Sequence, residues 1–403
     1  MTDKHTLQAY LTKIEAELRD NILPFWIKHT KDAERGGFYG EISNKLVVNR
    51  DATKGALLAS RILWTYAAAY HQHPMPEYLD MAHYAYDTLV RFFWDNEHEG
   101  LYWEIAADGA PINTRKAIYG QAFGIYALSE YYAVTDDQDA LDKSIAIFRR
   151  IEQHSYDSKY RGYLESCSRD WQPDEDLRLS TKDMNEAKSQ NTHLHVMEAY
   201  TNLLRVWDNE ELRRKQIELV DVMLAHVIHP TSYHAQLFFD EKWASKSDHI
   251  SYGHDIEASW LLVEAAEVLG DSELLRQVKA LALKMAQTAY DEGLDDDGAI
   301  LYEANPHGFT NTDKEWWPQA EAAVGFLNAY QLSGKPHFLE ATLRCWDFIE
   351  AHLIDRQYGE WFRYVTRGHK LGAHDAAKVS FWKCPYHNGR ACLELIRRLN
   401  TLS

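Results

Sequence analysis

The sequence predicts an all-α fold, an (α/α)6 barrel of twelve helices with short β-hairpin-like loops, formed by a single domain over residues 1–403. Three observations predict it. A short motif recurs six times along the chain: a Gly or small polar residue, two or three aromatic or aliphatic residues, then an acid. One helical pattern precedes each copy and another follows it. The two sets of helices differ in composition as an outer and an inner layer would.

The motif reads "GGFYGE" at Gly36, "EGLYWE" at Glu99, "RGYLES" at Arg161, "AQLFFDE" at Ala235, "GAILYE" at Gly298 and "YGEWF" at Tyr358. Copies lie about 60 to 75 residues apart, room for two helices and their connections. These runs are too short for a main sheet and read as small strands or turns. The preceding helices run from "TLQAYLTKIEAELRDNILPFW" through "PEYLDMAHYAYDTLVRFFWD", "DALDKSIAIFRRIEQH", "NEELRRKQIELVDVMLAHVI" and "SELLRQVKALALKMAQTAY" to "PHFLEATLRCWDFIEAHL". Charged and apolar residues alternate in them at helical period, so each keeps one solvated face. The following helices are "KGALLASRILWTYAAAY", "AIYGQAFGIYALSEYY", "THLHVMEAYTNLLRVW", "HDIEASWLLVEAAEVL", "WWPQAEAAVGFLNAYQL" and "HNGRACLELIRRL". Most are richer in Ala and aromatics, as expected for helices packed on several sides. An open solenoid of the same hairpins is the alternative; the absence of a polar capping repeat at either end favours a closed ring.

Composition narrows the partners. A formal net charge of -18 repels phosphate backbones and anionic lipid, which disfavours nucleic acid and membranes and favours a neutral ligand. The four cysteines, Cys167, Cys345, Cys384 and Cys392, show no metal-binding spacing and are too few for a disulfide scaffold. The N-terminus lacks the apolar core of a signal peptide. These features predict a soluble cytoplasmic protein, a monomer or weak homodimer.

Polar residues cluster near the N-terminal ends of the inner helices: Arg61, Tyr119, His195, His254, Trp317 and His387, with Asn191, Glu198 and Glu257 close by. If the six helices run the same way round the ring, these residues converge at one mouth. His195 and His254 each carry a glutamate three residues on, Glu198 and Glu257, placed on the same helical face to orient an imidazole. His193 and His195 cannot face one ligand together, and Glu198 favours His195. Three histidines and two glutamates also raise a metal site, but no HExxH is present and the expectation is none. Residues 168–190 form a polar connection long enough for a lid or rim. Trp316 and Trp317 stand before an inner helix, with Pro318 in its first turn; an exposed one is a platform for a sugar ring.

The segments "NTHLHVMEAYTNL", "SYGHDIEASWLL", "EWWPQAEAAVGFLNAYQ" and "FWKCPYHNGRACLELIRRL", with "SRILWTYA" and "IYGQAFGIYALSEYY", together resemble the N-acylglucosamine 2-epimerase superfamily, and most closely its cellobiose 2-epimerases. The resemblance runs nearly end to end. It implies the same (α/α)6 barrel and epimerisation at C2 of the reducing-end glucose of a β-1,4-linked disaccharide, without metal or other cofactor. It implies that His254 and His387 are the acid/base pair and that His195 assists ring opening or holds the carbonyl end of the sugar. It also implies that Arg61, Tyr119, Asn191, Glu257, Trp317 and Trp382 line the pocket. The chemistry agrees: the open-chain aldehyde acidifies the C2 proton, and inversion needs proton removal and return on opposite faces, a task for two bases. Arg61 and Tyr119 are candidate donors to the enediolate oxygens. Three rivals remain at this level: a mannose/glucose epimerase or isomerase of the same superfamily, an inverting glycoside hydrolase drawing on Asp183, Glu186 and Glu257, and a non-catalytic sugar-binding module.

Overall fold

In the computed structural model, which describes residues 4–372 and 376–402, outer and inner helices alternate along the chain. The first outer helix is α1 (Lys4–Ala16), continued through a π-helical stretch at Glu17–Ile22 into α2 (Leu23–His29). Then follow α3 (Ala56–Gln72), α4 (Pro76–Thr88), α5 (Ile118–Thr135), α6 (Gln138–His154), α7 (Gln190–Val206), α8 (Glu210–Val222), α9 (Tyr252–Leu269), α10 (Ser272–Thr288), α11 (Trp316–Ser333), α12 (Pro336–Phe348) and α13 (Tyr386–Asn400). Local signals set the ends. Asp137, Asn209 and Asp271 accept backbone N–H bonds at the starts of α6, α8 and α10, and Pro76 and Pro336 open α4 and α12, where a missing N–H costs nothing. Gly270 and Gly334 end α9 and α11 in the left-handed conformation.

The inner helices α3, α5, α7, α9, α11 and α13 pack each on the next, and α13 packs back on α3. The ring is closed, which excludes the open solenoid. A second seam closes with it. The two-residue strand before each inner helix pairs antiparallel with the motif strand of the following unit: Lys54–Gly55 with Glu104–Ile105, Lys116–Ala117 with Ser166–Cys167, Lys188–Ser189 with Phe238–Phe239, Ile250–Ser251 with Glu303–Asn305, and Lys314–Glu315 with Tyr364–Val365. The last unit returns to the first through Val379 and Ile42. Some loops are hairpins as predicted, such as Glu41–Ile42 with Val48–Asn49. The pairing between units is what sequence reading missed.

In four of the six copies the recurring motif is a tight turn with two successive left-handed residues, for example Gly36 and Gly37 (φ 83° and 68°) or Arg161 and Gly162 (φ 63° and 76°); the fourth and fifth have one, Tyr233 and Gly298. Glycine there avoids Cβ strain. At Gly162 a Cβ would also lie 2.5 Å from Trp243 and 2.6 Å from His193. An aspartate opens most of these turns. One oxygen of Asp32, Asp95, Asp157 or Asp355 accepts two backbone N–H bonds of its own turn. The other oxygen binds a buried lysine: Lys54 at 2.8 Å, Lys116 at 3.0 Å, Lys188 at 2.8 Å and Lys378 at 2.6 Å. Lys314 does the same with Asp295 at 3.0 Å. In the fourth unit His229 and Ile250 stand at the corresponding places, and the His229 ring accepts the turn's backbone N–H of Ser232 instead. The four cysteines are buried and unpaired. No helix among the described residues is long and apolar enough to cross a membrane.

Candidate active site

Because all six inner helices run the same way, their N-terminal turns meet at one mouth. Tyr119, Asn191, Trp317 and His387 are each second in their helices, His254 is third, and Arg61, His195, Glu257 and Glu321 are sixth. The convergence predicted from sequence is present in the ring contacts: Tyr119 lies 5.0 Å from His195, His254 4.8 Å from Trp317, and Trp317 5.6 Å from His387, centroid to centroid. Trp382 reaches in from the segment before α13, 6.0 Å from Tyr119 and 6.1 Å from Trp103. Asn191 is half-buried beside them on α7.

The three histidines share one arrangement. His195 Nδ1 is 2.8 Å from Glu198 Oε2, His387 Nδ1 is 2.7 Å from Glu321 Oε1, and His254 Nδ1 is 2.8 Å from Ser251 Oγ. None of their Nε2 atoms has a hydrogen-bond partner among the described residues. An anchored Nδ1 fixes the ring and its tautomer and leaves Nε2 as the working nitrogen. His193 is the contrast that sequence left open: its Nδ1 binds Ser189 O at 2.7 Å and its Nε2 accepts Tyr163 N–H at 2.8 Å. Nε2 thus holds the motif turn and Nδ1 the residue that caps α7, leaving neither nitrogen open, whereas His195 keeps Nε2 free.

One expected pair is not formed. Glu257 does not hold His254, although the two share a helical face. Glu257 instead accepts from Arg390 Nη2 at 2.7 Å and lies 4.0 Å from His387 Nδ1. The tryptophan expectation is also corrected: Trp316 and Trp317 open α11 itself, and both are buried, at 3% and 9% exposure. Trp317 nonetheless lies against both His254 and His387, while Trp316 meets His387 edge-on at 6.3 Å.

Beneath the histidines lies a buried ionic cluster. Arg390 donates to Glu198 and to Tyr386 OH through Nη1, and to Glu257 and Glu321 through Nη2 at 2.7 Å each. Tyr386 OH donates to Glu198 at 2.6 Å, and Trp260 Nε1 donates to Glu321 Oε2 at 3.0 Å. Arg61 Nη2 donates to Tyr119 OH at 2.6 Å, with its guanidinium 4.2 Å from the Phe123 ring centroid. Burial works to raise Glu198, but Arg390 and the bonds from His195 and Tyr386 outweigh it and hold the carboxyl down at about 2. Burial, with Glu321 as a neighbour, pushes Glu257 up, and burial likewise raises Glu321. One guanidinium thus serves three carboxylates. Burial lowers all three histidines, His254 to about 3 and His387 well below its usual range, with Arg61 and Arg390 adding to the effect on His387. The shift favours the neutral imidazole, the form that can accept a proton.

Glu257, Glu321 and His387 present ligand atoms within 4.8 Å of one another, a set whose chemistry suits a divalent ion. Arg390 already supplies positive charge to both carboxylates, which works against a second cation there. Of the carboxylates a hydrolase would need, Asp183 accepts Ser180 N–H at 2.7 Å within its own loop and Glu257 is tied to Arg390. Residues 168–190 lack helix apart from α7's start and are fastened by Arg115 to Asp176 O at 3.2 Å and by Leu177 N to Asn185 at 2.8 Å.

Glu321, Tyr386 and Arg390 escaped the sequence reading. Glu321 is the sole charged residue of α11, and Arg390 sits one turn after His387 in α13. A lone charge in a helix otherwise built to be buried was the available signal.

Histidines held by one nitrogen and open at the other suit proton transfer to a neutral ligand, and known proteins tell which kind. A model of the N-acylglucosamine 2-epimerase family matches residues 37–387, and the chain belongs to that family. It is an enzyme of the epimerase and isomerase class. A cellobiose 2-epimerase of Bacteroides fragilis is 44% identical over 385 residues, 95% of this chain and 98% of that one. The structure of a cellobiose 2-epimerase from Bacillus thermoamylovorans superposes with a TM-score of 0.93 at 39% identity, covering 97% of this chain and 100% of that one. A D-mannose isomerase structure, at a TM-score of 0.82 and 22% identity over 98% of each chain, shares the fold.

Proposed function

We propose that this enzyme is a cellobiose 2-epimerase, converting cellobiose to glucosyl-mannose and lactose to epilactose through an enediolate. The observation that carries the reading is the set of three imidazoles with anchored Nδ1 and open Nε2 around Trp317 and Tyr119. In this reading His195 assists ring opening. His254 and His387, on non-adjacent sequence units but both against Trp317, remove and return the C2 proton on opposite faces. When His387 takes the proton, Glu321 at 2.7 Å stabilises the imidazolium. Arg61 and Tyr119 donate to the developing oxyanion, while Asn191, Glu257, Trp317 and Trp382 shape the pocket. Proton return to C1 in place of C2 gives the ketose as a side product. The reading uses no metal or other cofactor. It includes one domain, supported by the seam from Ile42 to Val379, and a cytoplasmic monomer or weak homodimer, supported for the compartment by four buried free thiols.

Incubation with cellobiose in deuterium oxide, followed by NMR, tests it. The expected product is glucosyl-mannose carrying deuterium at C2. Untouched cellobiose alongside labelled interconversion of free mannose and glucose would move the enzyme to monosaccharides. His254→Asn and His387→Asn are each expected to lower turnover by about 10²–10⁴-fold with an unchanged circular-dichroism spectrum; near-normal turnover in either would sink the two-base scheme.

A further inference from the structure

Four of the inner helices are tied by their fourth residue to the motif strand that precedes them. Gln121 holds both backbone groups of Leu101, N–H at 2.8 Å and O at 2.7 Å, and Gln319 holds those of Ile300 at 2.7 Å and 2.8 Å. His193 accepts Tyr163 N–H at 2.8 Å. On α9 the clamp is Asp255, which accepts Ala235 N–H at 2.7 Å. Asp255 is fully buried, is an acid where the other clamps are amides or an imidazole, and directly follows His254.

A buried carboxylate calls for a cation, and His234 stands where one is needed. Its Nδ1 is 2.6 Å from Asp255 Oδ2. Its Nε2 is 3.2 Å from Oε2 of the half-exposed Glu292, on the π-helical stretch Ala289–Gly293 after α10. A ring that meets a carboxylate at each nitrogen donates to both only as the imidazolium. Burial works to lower His234, but Asp255 and Glu292 prevail and raise it. Burial raises Asp255 in turn, and His234 is foremost among the groups that oppose this. The Tyr252 phenol also stands against the ring, 6.0 Å away centroid to centroid, and burial, Glu292 and Asp255 push it up to about 12. The fourth unit is moreover the one with Ile250 in place of the rim lysine, so α9 enters the ring without the lysine–aspartate tie of its five counterparts.

We infer that His234, as a cation, is a positioning residue for His254: it holds Asp255 and so fixes the first turn of α9, which sets the His254 ring beside Trp317. The inference rests on the reading of His254 as one of the two bases. As pH rises through the His234 titration the cation is lost and Asp255 is left without its partner. Activity then falls on the alkaline side through kcat, because His254 moves while the rest of the pocket stays.

Histidine-¹⁵N-labelled enzyme, titrated through the neutral and alkaline range and followed by imidazole NMR beside cellobiose turnover, tests it. Loss of resonances in His234→Gln and His254→Asn assigns the two rings. The expected result is a His234 ring protonated at both nitrogens at pH 7, with a midpoint above the ordinary 6.5. The His254 resonances and kcat are expected to change with that same midpoint. In His234→Gln, kcat at pH 7 is expected to fall about 10–10²-fold, the size of a misplaced base, with KM near that of the parent. Asp255→Asn reverses the sign. Its amide accepts Ala235 N–H as before but donates to His234 Nδ1, which favours the neutral ring. The His234 midpoint then drops and the alkaline loss of kcat disappears with it; this variant also serves if His234→Gln does not fold. A His234 ring that is neutral at pH 7 overturns the inference. So does a midpoint that moves in Asp255→Asn while kcat and the His254 resonances keep the parent's profile. If cellobiose is not turned over, the epimerase reading falls, and the His254 resonances still decide whether His234 positions that ring.

Discussion

Two sets of buried charges organise this molecule, and they are built on opposite rules. Around the rim, each lysine meets the aspartate of a motif turn, as Lys116 meets Asp95 with both side chains fully buried. Lys54–Asp32, Lys188–Asp157 and Lys378–Asp355 are one-to-one pairs. The half-exposed Arg169 also reaches Asp95, and Lys314 takes Asp297 besides Asp295. The aspartates' other oxygens accept backbone N–H groups. At the centre, Arg390 meets three glutamates at once. Nothing there balances one to one. A balanced pair fixes geometry and has no reason to exchange protons. In a cluster with surplus carboxylates, burial favours the protonated form of Glu257 and Glu321. That cluster sits under the histidines whose proposed task is to move protons. The difference teaches that buried charge alone does not mark a functional site; its stoichiometry does.

Removing the hub breaks the central cluster. Arg390→Met leaves Glu198, Glu257 and Glu321 buried without their cation, a loss of about 3–5 kcal/mol of stability, with activity lost alongside it. Urea unfolding at pH 7 and turnover of cellobiose check both; a stable, active variant would make the cluster incidental. Lys54→Met at the rim is expected to cost less, about 1–3 kcal/mol, because Asp32 keeps its N–H bonds from Glu34 and Arg35. Its kcat is expected to stay near that of the parent. A large fall in kcat without a fall in stability would erase the distinction between the two regions.

Acid and base separate them more finely. Burial opposes the ionised rim carboxylates Asp32 and Asp157, but their lysines and backbone N–H bonds prevail and lower both. Their stabilising contribution is present above the ordinary aspartate pKa of 3.8 and is lost as pH falls below it. Glu257 is raised, so the folded state binds a proton that the unfolded chain releases. Its contribution is therefore full below 4.5 and is lost as pH rises through the neutral range. Glu257→Gln is expected to gain stability relative to the parent between pH 5 and pH 8. Parallel unfolding curves across that interval would show that Glu257 is ionised in the fold.

Much of this was readable before any coordinates. The six motif copies and the two helix compositions imply twelve helices in two layers, because periodicity and apolar content are local properties that report which faces are buried. The same reasoning brought Arg61, Tyr119, His195, His254, Trp317 and His387 to one mouth, since equivalent positions in equivalent helices must land together. It failed where an outcome depended on residues far apart in sequence. Glu257 looked like the partner of His254 at helical spacing, yet Arg390, 133 residues on, took it. Glu321 and His387 meet across 66 residues.

The sequence by itself determined the repeat, the layers and the end of the barrel that carries the polar residues, because each follows from spacing along one helix. Only the tertiary structure decided that the ring closes, that His193 braces a turn while His195 is left open at Nε2, and that one arginine serves three carboxylates. Those outcomes are competitions for partners between helices. A hydrogen bond goes to whichever donor the closed ring brings within 3 Å or so, and no local pattern records who wins.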